Sequence, residues 1–468
     1  MRTSEALPRV DSAASPNGLR AWPLAVVLGC ASFLVLFDSL ALATALPSIG
    51  ADLGLGPSAL QWVVSLYSLS IGALLILGGR TSDLWGRRRV LVASLAVTTA
   101  AGLLAGLAPS LPLLLAGRVL QGVAAAFALP AALSIAGTAY PTEPWRSRVF
   151  AVMAFAAWSA GLAGAILGGI ITVHLGWRWV FLVTVPVGAA AFAAALALLP
   201  ADPPRRDRSE RLDVAGAVLA SAGLVALLGG LSQLGEGAHA GRAGLLLCLA
   251  AALLGALVVV ERRAAYPLVK PHLLRSRRIV GGCLAFAAYC AGYTAVIVVG
   301  SLHLQEEHGL SAARTGMVLS PVLLGGIVSS ALSTRLLRRF SSRTVVAASI
   351  ALCALTLAMM AALSGGSVAA LVPWLVLWGV CSGPVYVRLF RECVTNVAES
   401  DRGTASGLLE SMSHIGGGIA VAAYLTLLGA GVGYGVTKLV GALVVVAGAA
   451  VALFLLPRSD GQLSQPGR

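Results

Sequence analysis

The sequence predicts an all-α polytopic membrane protein, and three observations support that fold class. Of the 468 residues, 58% are hydrophobic and 11% are charged, whereas about a quarter of the residues of a soluble domain are charged. The mean hydropathy is +0.89. The apolar residues also form runs of about 20, the length at which a helix crosses a bilayer. Most of the chain is therefore expected to face lipid or other buried helices.

Fourteen apolar runs of this length follow one another along the chain. They cover residues 22–48, 57–79, 89–107, 110–139, 149–175, 179–199, 213–233, 243–260, 279–303, 314–337, 343–363, 368–387, 404–430 and 434–457. The connections near Gly176 and Gly431 are very short, so counts of thirteen or fifteen spans are also compatible with the sequence.

Two strongly charged connections, 200–213 and 261–278, flank spans 7 and 8. This arrangement predicts six spans, a two-span insert and six further spans, as in a protein with two pseudo-repeated halves. The predicted units are a disordered cytoplasmic tail (1–21), an N-terminal six-helix half (22–199), a linker with two inserted helices (200–278), a C-terminal six-helix half (279–457) and a cytoplasmic tail (458–468).

Charge indicates how the chain lies in the membrane. The formal net charge is +14, but the arginines lie in short connections between apolar runs, so we expect a lipid bilayer and no nucleic acid as partner. Of the 33 Lys and Arg residues, Arg118 falls inside span 4, and four fall on the predicted external side: Arg178, Arg242, Arg314 and Lys438. Because basic connections stay in the cytoplasm, the split predicts a multi-pass protein of the cell inner (plasma) membrane with both termini cytoplasmic.

No metal site or cofactor is expected. The seven cysteines lie mostly inside apolar runs and form no Cys-x-x-Cys motif. We therefore interpret them as small buried hydrophobic residues. The sequence has no Gly-x-x-x-x-Gly-Lys-Ser/Thr loop and only two lysines, Lys270 and Lys438, which disfavours an ATP-driven pump.

The connection between spans 2 and 3 carries a patterned polar motif. It reads Gly79-x-x-x-Asp83-x-x-Gly86-Arg87-Arg88, and it resembles the loop between the second and third spans of major facilitator superfamily transporters. We expect a loop in which Gly79 and Gly86 let two helix ends approach, while Asp83 caps a helix N-terminus or pairs with an arginine. An ordinary basic connection that follows the orientation rule is the alternative.

Span 1 resembles one branch of that superfamily, the fourteen-span drug:proton antiporters. The segment Asp38–Pro47 keeps the aspartate and the Ala-Leu-Pro ending of the branch's motif, but Leu40 and Ala43 stand where threonine and asparagine are usual. The start of span 2 and the entry to span 6, with Thr184 in place of an asparagine, also match. The resemblance implies the major facilitator fold, two six-helix halves plus two inserted central helices, and a proton-handling role for Asp38.

Span 4 contains Arg118 and, about one turn later, Gln121, which resembles a motif of the same branch. An arginine at this depth costs about 2.5–3.5 kcal/mol, so it needs a partner or a watery cavity; a snorkelling arginine is the alternative. Asp38 and Arg118 both lie about 12–14 Å from the outer ends of their spans. We therefore expect this pair to couple protons, with Gln121 as a polar cavity group. A static pair that neutralises two buried charges is the alternative.

Span 5 carries two stripes of small residues at four-residue spacing. They are Ala160, Gly164 and Gly168 on one side and Gly161, Ala165 and Gly169 on the other. Each stripe lets a partner helix pack at backbone distance. The segment resembles a motif associated with antiporters in the family, although Ala165 replaces its proline.

Glu410 and His414 lie four residues apart in span 13 and therefore on one helical face. They form either a second proton-linked pair, a substrate contact or a structural pair at the cytoplasmic gate. A membrane-embedded enzyme that uses them is disfavoured, because no nucleophile or metal cluster lies beside them in the sequence. No catalytic residue is predicted.

The function that the resemblance implies is proton-coupled multidrug or antibiotic efflux by an antiporter with alternating access. Its partners would be protons and an apolar or amphiphilic small molecule held in a cavity with few polar groups, and the chain is expected to function as a monomer. A narrow exporter or importer of one metabolite is the rival within transport.

Overall fold

The computed structural model describes residues 18–139, 145–199, 201–202, 212–235, 240–264, 267–336, 340–395, 397–398 and 401–456. Within these ranges, fourteen helices are long and apolar enough to cross a membrane, and no strand occurs. The predicted all-α fold with fourteen transmembrane helices is confirmed. Most of the predicted tails 1–21 and 458–468, and most of the 200–212 connection, lie outside the described residues.

The fourteen helices follow the predicted apolar runs. They are α1 (Gly18–Leu53), α2 (Pro57–Trp85), α3 (Arg87–Gly106), α4 (Leu111–Ala139), α5 (Trp145–His174), α6 (Arg178–Leu198), α7 (Val214–Gly235), α8 (Ala240–Arg263), α9 (Arg277–Glu306), α10 (Ala312–Leu336), α11 (Ser342–Ala362), α12 (Val368–Thr395), α13 (Arg402–Gly429) and α14 (Tyr434–Leu455). A short helix, Pro271–Arg275, precedes α9.

Two of these helices are interrupted, which the sequence pattern did not predict. The helix α6 breaks at Val183 between the segments Arg178–Leu182 and Thr184–Leu198. The helix α9 contains a π turn, Ala295–Val299, before its last segment, Gly300–Glu306. A π turn widens the helix locally and rotates the residues that follow it. The face that the end of α9 presents is therefore not the one that regular periodicity would give.

The helices pack in two groups that meet along two seams. In the first group α1 packs on α5 and α6, and α4 packs on α2 and α3; in the second, α9 packs on α13 and α14, and α11 packs on α12 and α14. The seams between the groups are α2 against α13 and α5 against α10. The helices α7 and α8 pack on each other, and α7 also touches α2 and α13. The residue boundaries of the halves and of the insert stay predictions.

Hydrogen bonds join the two groups near one end of the bundle. We call the end that holds the α1–α2 connection the distal end and the end that holds the α2–α3 connection the proximal end. In the distal part of the first seam, Ser65 Oγ donates to the Gly418 carbonyl oxygen at 3.0 Å, and Thr426 Oγ1 lies 3.2 Å from Gln61 Oε1.

The predicted loop around Gly86 is wrong, because the chain stays helical on both sides of it. The helix α2 continues through Asp83 to Trp85, and α3 begins at Arg87. Only Gly86 interrupts the helices, with φ at +105°, a conformation that side chains with a Cβ rarely adopt. The polar motif is thus a sharp turn between two helix ends that extend beyond the apolar runs.

The segment between α8 and α9 touches both groups of helices. Leu268 is buried in a cluster with Leu77 of α2. Lys270 Nζ lies 2.5 Å from one carboxylate oxygen of Asp401, and His272 Nε2 lies 2.7 Å from the other. These two contacts hold the pKa of the Asp401 carboxyl below its usual range. The segment therefore ties α2 to Asp401, the residue that directly precedes α13.

Candidate functional site

A buried ion pair lies in the first group of helices. Asp38 of α1 and Arg118 of α4 bind each other directly, and both side chains are almost completely removed from solvent. The structure therefore brings together the two residues that the sequence placed at similar depth. Because each charge is compensated by the other, neither one is left isolated in the apolar interior.

Further polar groups complete the surroundings of this pair. Arg118 Nε donates to the Val63 carbonyl oxygen of α2 at 2.8 Å, and Arg118 Nη1 donates to Gln121 Oε1 at 2.9 Å. Gln121 Nε2 in turn donates to Asp38 Oδ1 at 3.2 Å. The Gln121 amide thus bridges the acid and the base. The guanidinium also keeps partners on two other groups that do not depend on the charge of Asp38.

Aromatic rings cover the guanidinium. The Arg118 guanidinium carbon lies 4.3 Å from the ring centroid of Tyr67 and 5.8 Å from that of Phe181. Tyr67 is held in place because its hydroxyl donates to the Val35 carbonyl oxygen at 2.8 Å. Such rings attract a cation by their quadrupole. The sequence reasoning missed Tyr67, although it lies in the span 2 stretch that matches the antiporter branch.

A small cavity adjoins the Asp38 carboxylate and has room for about one water molecule. Its polar lining is Asp38, Tyr67, Thr98, Gln121 and Thr184. A water molecule at this place would have several hydrogen-bond partners. The cluster therefore has room for about one water molecule beside the Asp38 carboxylate.

The first glycine stripe of α5 packs against α1 next to this cluster. A Cβ on Gly168 would lie 2.6 Å from Ala41 Cα, and a Cβ on Gly164 would lie 2.8 Å from the Phe37 carbonyl oxygen. Both distances are shorter than atoms in contact allow. Because Phe37 precedes Asp38 directly, the two glycines set the position of the helix segment that carries the acid.

The second stripe faces both groups of helices. A Cβ on Gly169 would clash with the backbone of Ala312 in α10. A Cβ on Gly161 would lie 3.1 Å from Leu40 Cδ1 and 3.6 Å from Leu323 Cδ2. The helix α5 therefore touches α1 on one side and α10 on the other, at backbone distance in both cases.

Glu410 and His414 lie in the second group, away from the Asp38 cluster. Glu410 Oε1 is 3.8 Å from His414 Nε2, which is too long for a hydrogen bond. The other carboxylate oxygen, Glu410 Oε2, is buried and has no hydrogen-bond partner among the residues that the structure describes, while the Glu410 and His414 side chains as a whole are 23% and 20% exposed. Cys290 and Tyr386 lie nearby. This carboxylate can accept a proton or a hydrogen bond from a ligand.

Two carboxylates with different surroundings lie at the polar motif around Gly86: Asp83 within it and Asp202 from a distant part of the chain. Asp83 pairs with Arg87 at 3.2 Å, and both side chains are substantially exposed. The N-terminus of α3 is capped by Asp202 instead, whose oxygens accept from the backbone N–H groups of Arg88 at 2.9 Å and Arg89 at 3.1 Å. Asp202 could not be found from the sequence, because the contact joins residues more than a hundred positions apart.

We expect Asp202→Ala to destabilise the protein more than Asp83→Ala. A carboxylate cap is worth about 1 kcal/mol, whereas an exposed i,i+4 ion pair is worth about 0.3–0.5 kcal/mol. Thermal unfolding of the two purified variants in detergent measures the difference.

Asp83→Asn should still slow transport without abolishing substrate binding, since we expect the motif to bias the conformational equilibrium. Transport at the wild-type rate would leave the motif with a topological role alone.

Comparison with known proteins places these features in a sequence family. The model of the Major Facilitator Superfamily matches residues 28–421 and, in a second match, residues 281–468. A cephamycin export protein of Amycolatopsis lactamdurans is 38% identical over 87% of this chain and 85% of its own length. A puromycin resistance protein of Streptomyces alboniger is 33% identical, with 88% and 83% covered. A tetracenomycin C resistance and export protein of Streptomyces glaucescens is 31% identical, with 89% and 78% covered.

Solved structures share the fold at low sequence identity. A POT family transporter superimposes with a TM-score of 0.70 at 13% identity, over 93% of this chain and 97% of its own. A nucleoside transporter gives a TM-score of 0.68 at 12% identity, with 93% and 100% covered. These likenesses concern the arrangement of helices alone.

Proposed function

This chain belongs to the Major Facilitator Superfamily, and from that premise we propose that it is a proton-coupled efflux antiporter. It would export an apolar or amphiphilic compound of the antibiotic type by alternating access of its two six-helix halves. The names of its relatives, which refer to antibiotic export and resistance, support export as the direction of transport.

The observation that carries the proton coupling is the Asp38–Arg118 pair. When Asp38 takes up a proton, the guanidinium loses its counter-charge but keeps the Val63 carbonyl, the Gln121 amide and the Tyr67 ring. The aspartate can therefore be neutralised without stranding Arg118 in an apolar interior. A pair with this property can exist in two charge states, as a coupled carrier needs.

The geometry also connects the protonation of Asp38 to a change in how the two halves pack. Gly164 and Gly168 of α5 hold the Asp38 segment of α1, and the opposite side of α5 contacts α10 in the other half. A change in how α1 sits when Asp38 is neutralised would therefore be passed to a seam between the halves. Two packed arrangements of such a seam are the kind of discrete states on which alternating access depends.

Glu410 is a second candidate for coupling or for substrate binding. Its buried oxygen without a partner is the observation that favours it. A cationic group of a substrate would satisfy that oxygen, and the aromatic ring of Tyr386 lies close by. The proposal places Glu410 and His414 in the substrate path of the second half, apart from the proton site of the first.

Narrow specificity is the rival within efflux. Each of the three relatives above carries the name of one compound or compound class, which favours an exporter of a single metabolite. A susceptibility screen of an exporter-deficient host that expresses this chain distinguishes the two cases. Protection against one chemical class supports narrow export, and protection against unrelated classes supports multidrug efflux.

Proton flux in everted membrane vesicles tests the proposal. Addition of a compound found in the screen should release protons from acid-loaded vesicles, and the compound should accumulate inside without chemical change. We place the proximal end in the cytoplasm, so a protease added to the same vesicles should cut the 200–212 connection. Accumulation that persists after the proton gradient is collapsed would refute proton coupling.

A further inference from the structure

An open cavity of about 660 Å³ lies at the distal end of the bundle, between the two groups of helices. The first group contributes residues of the segment 47–60, which runs from α1 into α2. The second group contributes the end of α9 and residues of the segment 425–434, which joins α13 to α14. Sites that hold drug-sized ligands have volumes of this order. The cavity therefore has the size of a small-molecule site, and both groups form its wall.

Buried leucines form part of this wall. Leu60 of α2, Leu302 of α9 and Leu425 of α13 line the cavity, and each is at most 5% exposed. They come from three helices and from both groups. Because water against apolar side chains is unfavourable, a ligand with an apolar body is stabilised when it displaces that water.

The charge in the cavity wall is negative. Glu306 and Glu307 line the cavity, and no Lys, Arg or His is among its described lining residues. The Glu307 side chain is about half exposed. Lys438 does not line the cavity, because it is buried and its Nζ lies 2.8 Å from His303 Nδ1. The two carboxylates therefore attract a cation, and no basic side chain of the wall offsets them.

Tyr434 adds an aromatic surface beside these carboxylates. It lines the cavity at the start of α14, and its hydroxyl binds Glu306. Its ring centroid also lies 5.2 Å from that of His303, so the ring is held from two sides. The face of such a ring attracts an ammonium group through its quadrupole. An anion would instead meet two like charges at the same place.

We propose that this cavity binds an amphiphilic organic cation that arrives from the distal side, at a site separate from the Asp38 cluster and from Glu410. The ammonium group lies between the two carboxylates and the Tyr434 ring, and the apolar body lies against the leucines. A ligand bound in this way contacts both groups of helices. It therefore binds most tightly to the conformation in which the distal parts of the two groups meet, and it stabilises that conformation.

The functional consequence rests on the proposed alternating access, whereas the binding site does not. A ligand that stabilises one conformation slows a cycle that must pass through another. An organic cation on the distal side should therefore inhibit export without competing for the substrate path.

Protection of a cysteine in the cavity wall tests the site without transport. Val432 lines the cavity in the connection between α13 and α14, and Val432→Cys is the reporter in a full chain whose seven native cysteines are replaced by alanine. The protein is reconstituted in lipid nanodiscs, where both ends are accessible. Labelling by a maleimide is timed with and without (biphenyl-4-ylmethyl)trimethylammonium. Biphenyl-4-ylmethanesulfonate is the matched anion, and Leu107→Cys is an exposed control position in the distal α3–α4 connection.

The cation should slow labelling of Val432→Cys about tenfold at about ten times its dissociation constant, because only the unoccupied fraction reacts. Labelling of Leu107→Cys should not change, and the sulfonate should protect neither position. Calorimetric titration of the chain with its native cysteines gives a second measurement of the same affinity, which keeps the test valid if the cysteine-free chain folds poorly.

The double variant Glu306→Gln with Glu307→Gln should bind the cation about tenfold more weakly, as expected for the loss of two partly exposed charge contacts. Both amides can still accept hydrogen bonds, so the contact with Tyr434 is kept. Asp52→Asn is the matched control, because it removes an acid at the same end that pairs with Arg178; the affinity should stay the same. Glu410→Gln should also keep it, since Glu410 belongs to the proposed substrate path.

Three results would overturn the site: equal protection by the sulfonate, an unchanged affinity in the double glutamine variant, or a loss of affinity in Glu410→Gln. In proteoliposomes, the cation on the distal side should lower the maximal export rate and leave the half-saturating substrate concentration unchanged. Equal inhibition of the double glutamine variant would reject the effect on transport. A wild type that binds the cation with the expected selectivity but exports nothing would reject the antiporter and leave the site standing.

Discussion

Asp38→Asn is expected to abolish export against a substrate gradient and to leave binding and downhill exchange of a neutral substrate in place. The uphill rate should fall by about 100-fold or more, the effect typical of losing a positioned proton-transfer group. Asparagine has the shape of aspartate, and its one amide oxygen can still accept from Arg118, whereas the nitrogen that replaces the second oxygen can only donate. It cannot exchange a proton, so the substrate step is uncoupled from the proton step.

The variant also removes one partner of a buried ion pair, which typically costs about 3–5 kcal/mol. The Val63 carbonyl and the Tyr67 ring keep part of the stabilisation of Arg118, so we expect a smaller loss. The amount of protein in the membrane must be measured beside transport. Export that recovers in downhill conditions at an unchanged protein level separates lost coupling from lost protein.

Asp52→Asn is the matched control, because it changes the same residue type on the same helix. Asp52 lies at the distal end of α1 and pairs with Arg178 at 2.7 Å, with both side chains well exposed. Such pairs contribute about 0–1 kcal/mol, so uphill export should be kept. Uphill export at the normal rate in Asp38→Asn would reject the proton role of this residue and move it to Glu410.

The depth of Asp38 and Arg118 could be read from the sequence because both lie a countable number of residues from the ends of their spans. Their direct contact could also be predicted, since a buried arginine needs an anion. The Val63 carbonyl and the Tyr67 ring could not be derived in this way. Those contacts depend on how α2 is rotated, and an apolar run in a membrane does not show which of its faces is turned inward.

The error at Gly86 has a different physical cause. The sequence reasoning ended the helices where the charges begin, because charged groups leave the bilayer. Polar residues outside the bilayer can nevertheless remain helical: α1 has 36 residues, a length of about 54 Å, against about 30 Å for the hydrocarbon core. Hydropathy therefore marks the lipid boundary and not the end of the helix.

Lys438 is an exception to the rule that basic residues lie in the connections between spans, because it contacts a residue that is distant in the sequence. The sequence placed it in an external connection, yet it is buried inside α14. Its Nζ lies 2.8 Å from Nδ1 of His303, which is more than a hundred residues earlier, in the segment of α9 that follows the π turn. Neither the composition around Lys438 nor the span count carries that information.

Gly168→Leu is expected to abolish transport, and Gly164→Leu should do the same. A Cβ at Gly168 would already lie 2.6 Å from Ala41 Cα, so α1 and α5 must separate to admit any side chain. Overpacking of this kind costs about 1–3 kcal/mol, and the displacement falls on the segment that positions Asp38. Transport of the compound and the amount of inserted protein are measured together.

Gly255→Leu provides the comparison, because a Cβ at Gly255 of α8 would have no atom of the described part of the chain within 4 Å. It adds the same side chain to a transmembrane helix without forcing two helices apart, so transport should stay close to the wild-type rate. The transport rate of Gly168→Ala should lie between those of Gly168→Leu and Gly255→Leu, since a single methyl group requires a smaller displacement of the helices. If Gly164→Leu and Gly168→Leu both transport normally, the α1–α5 contact does not position Asp38, and the proposed route from the proton to the seam between the halves is wrong.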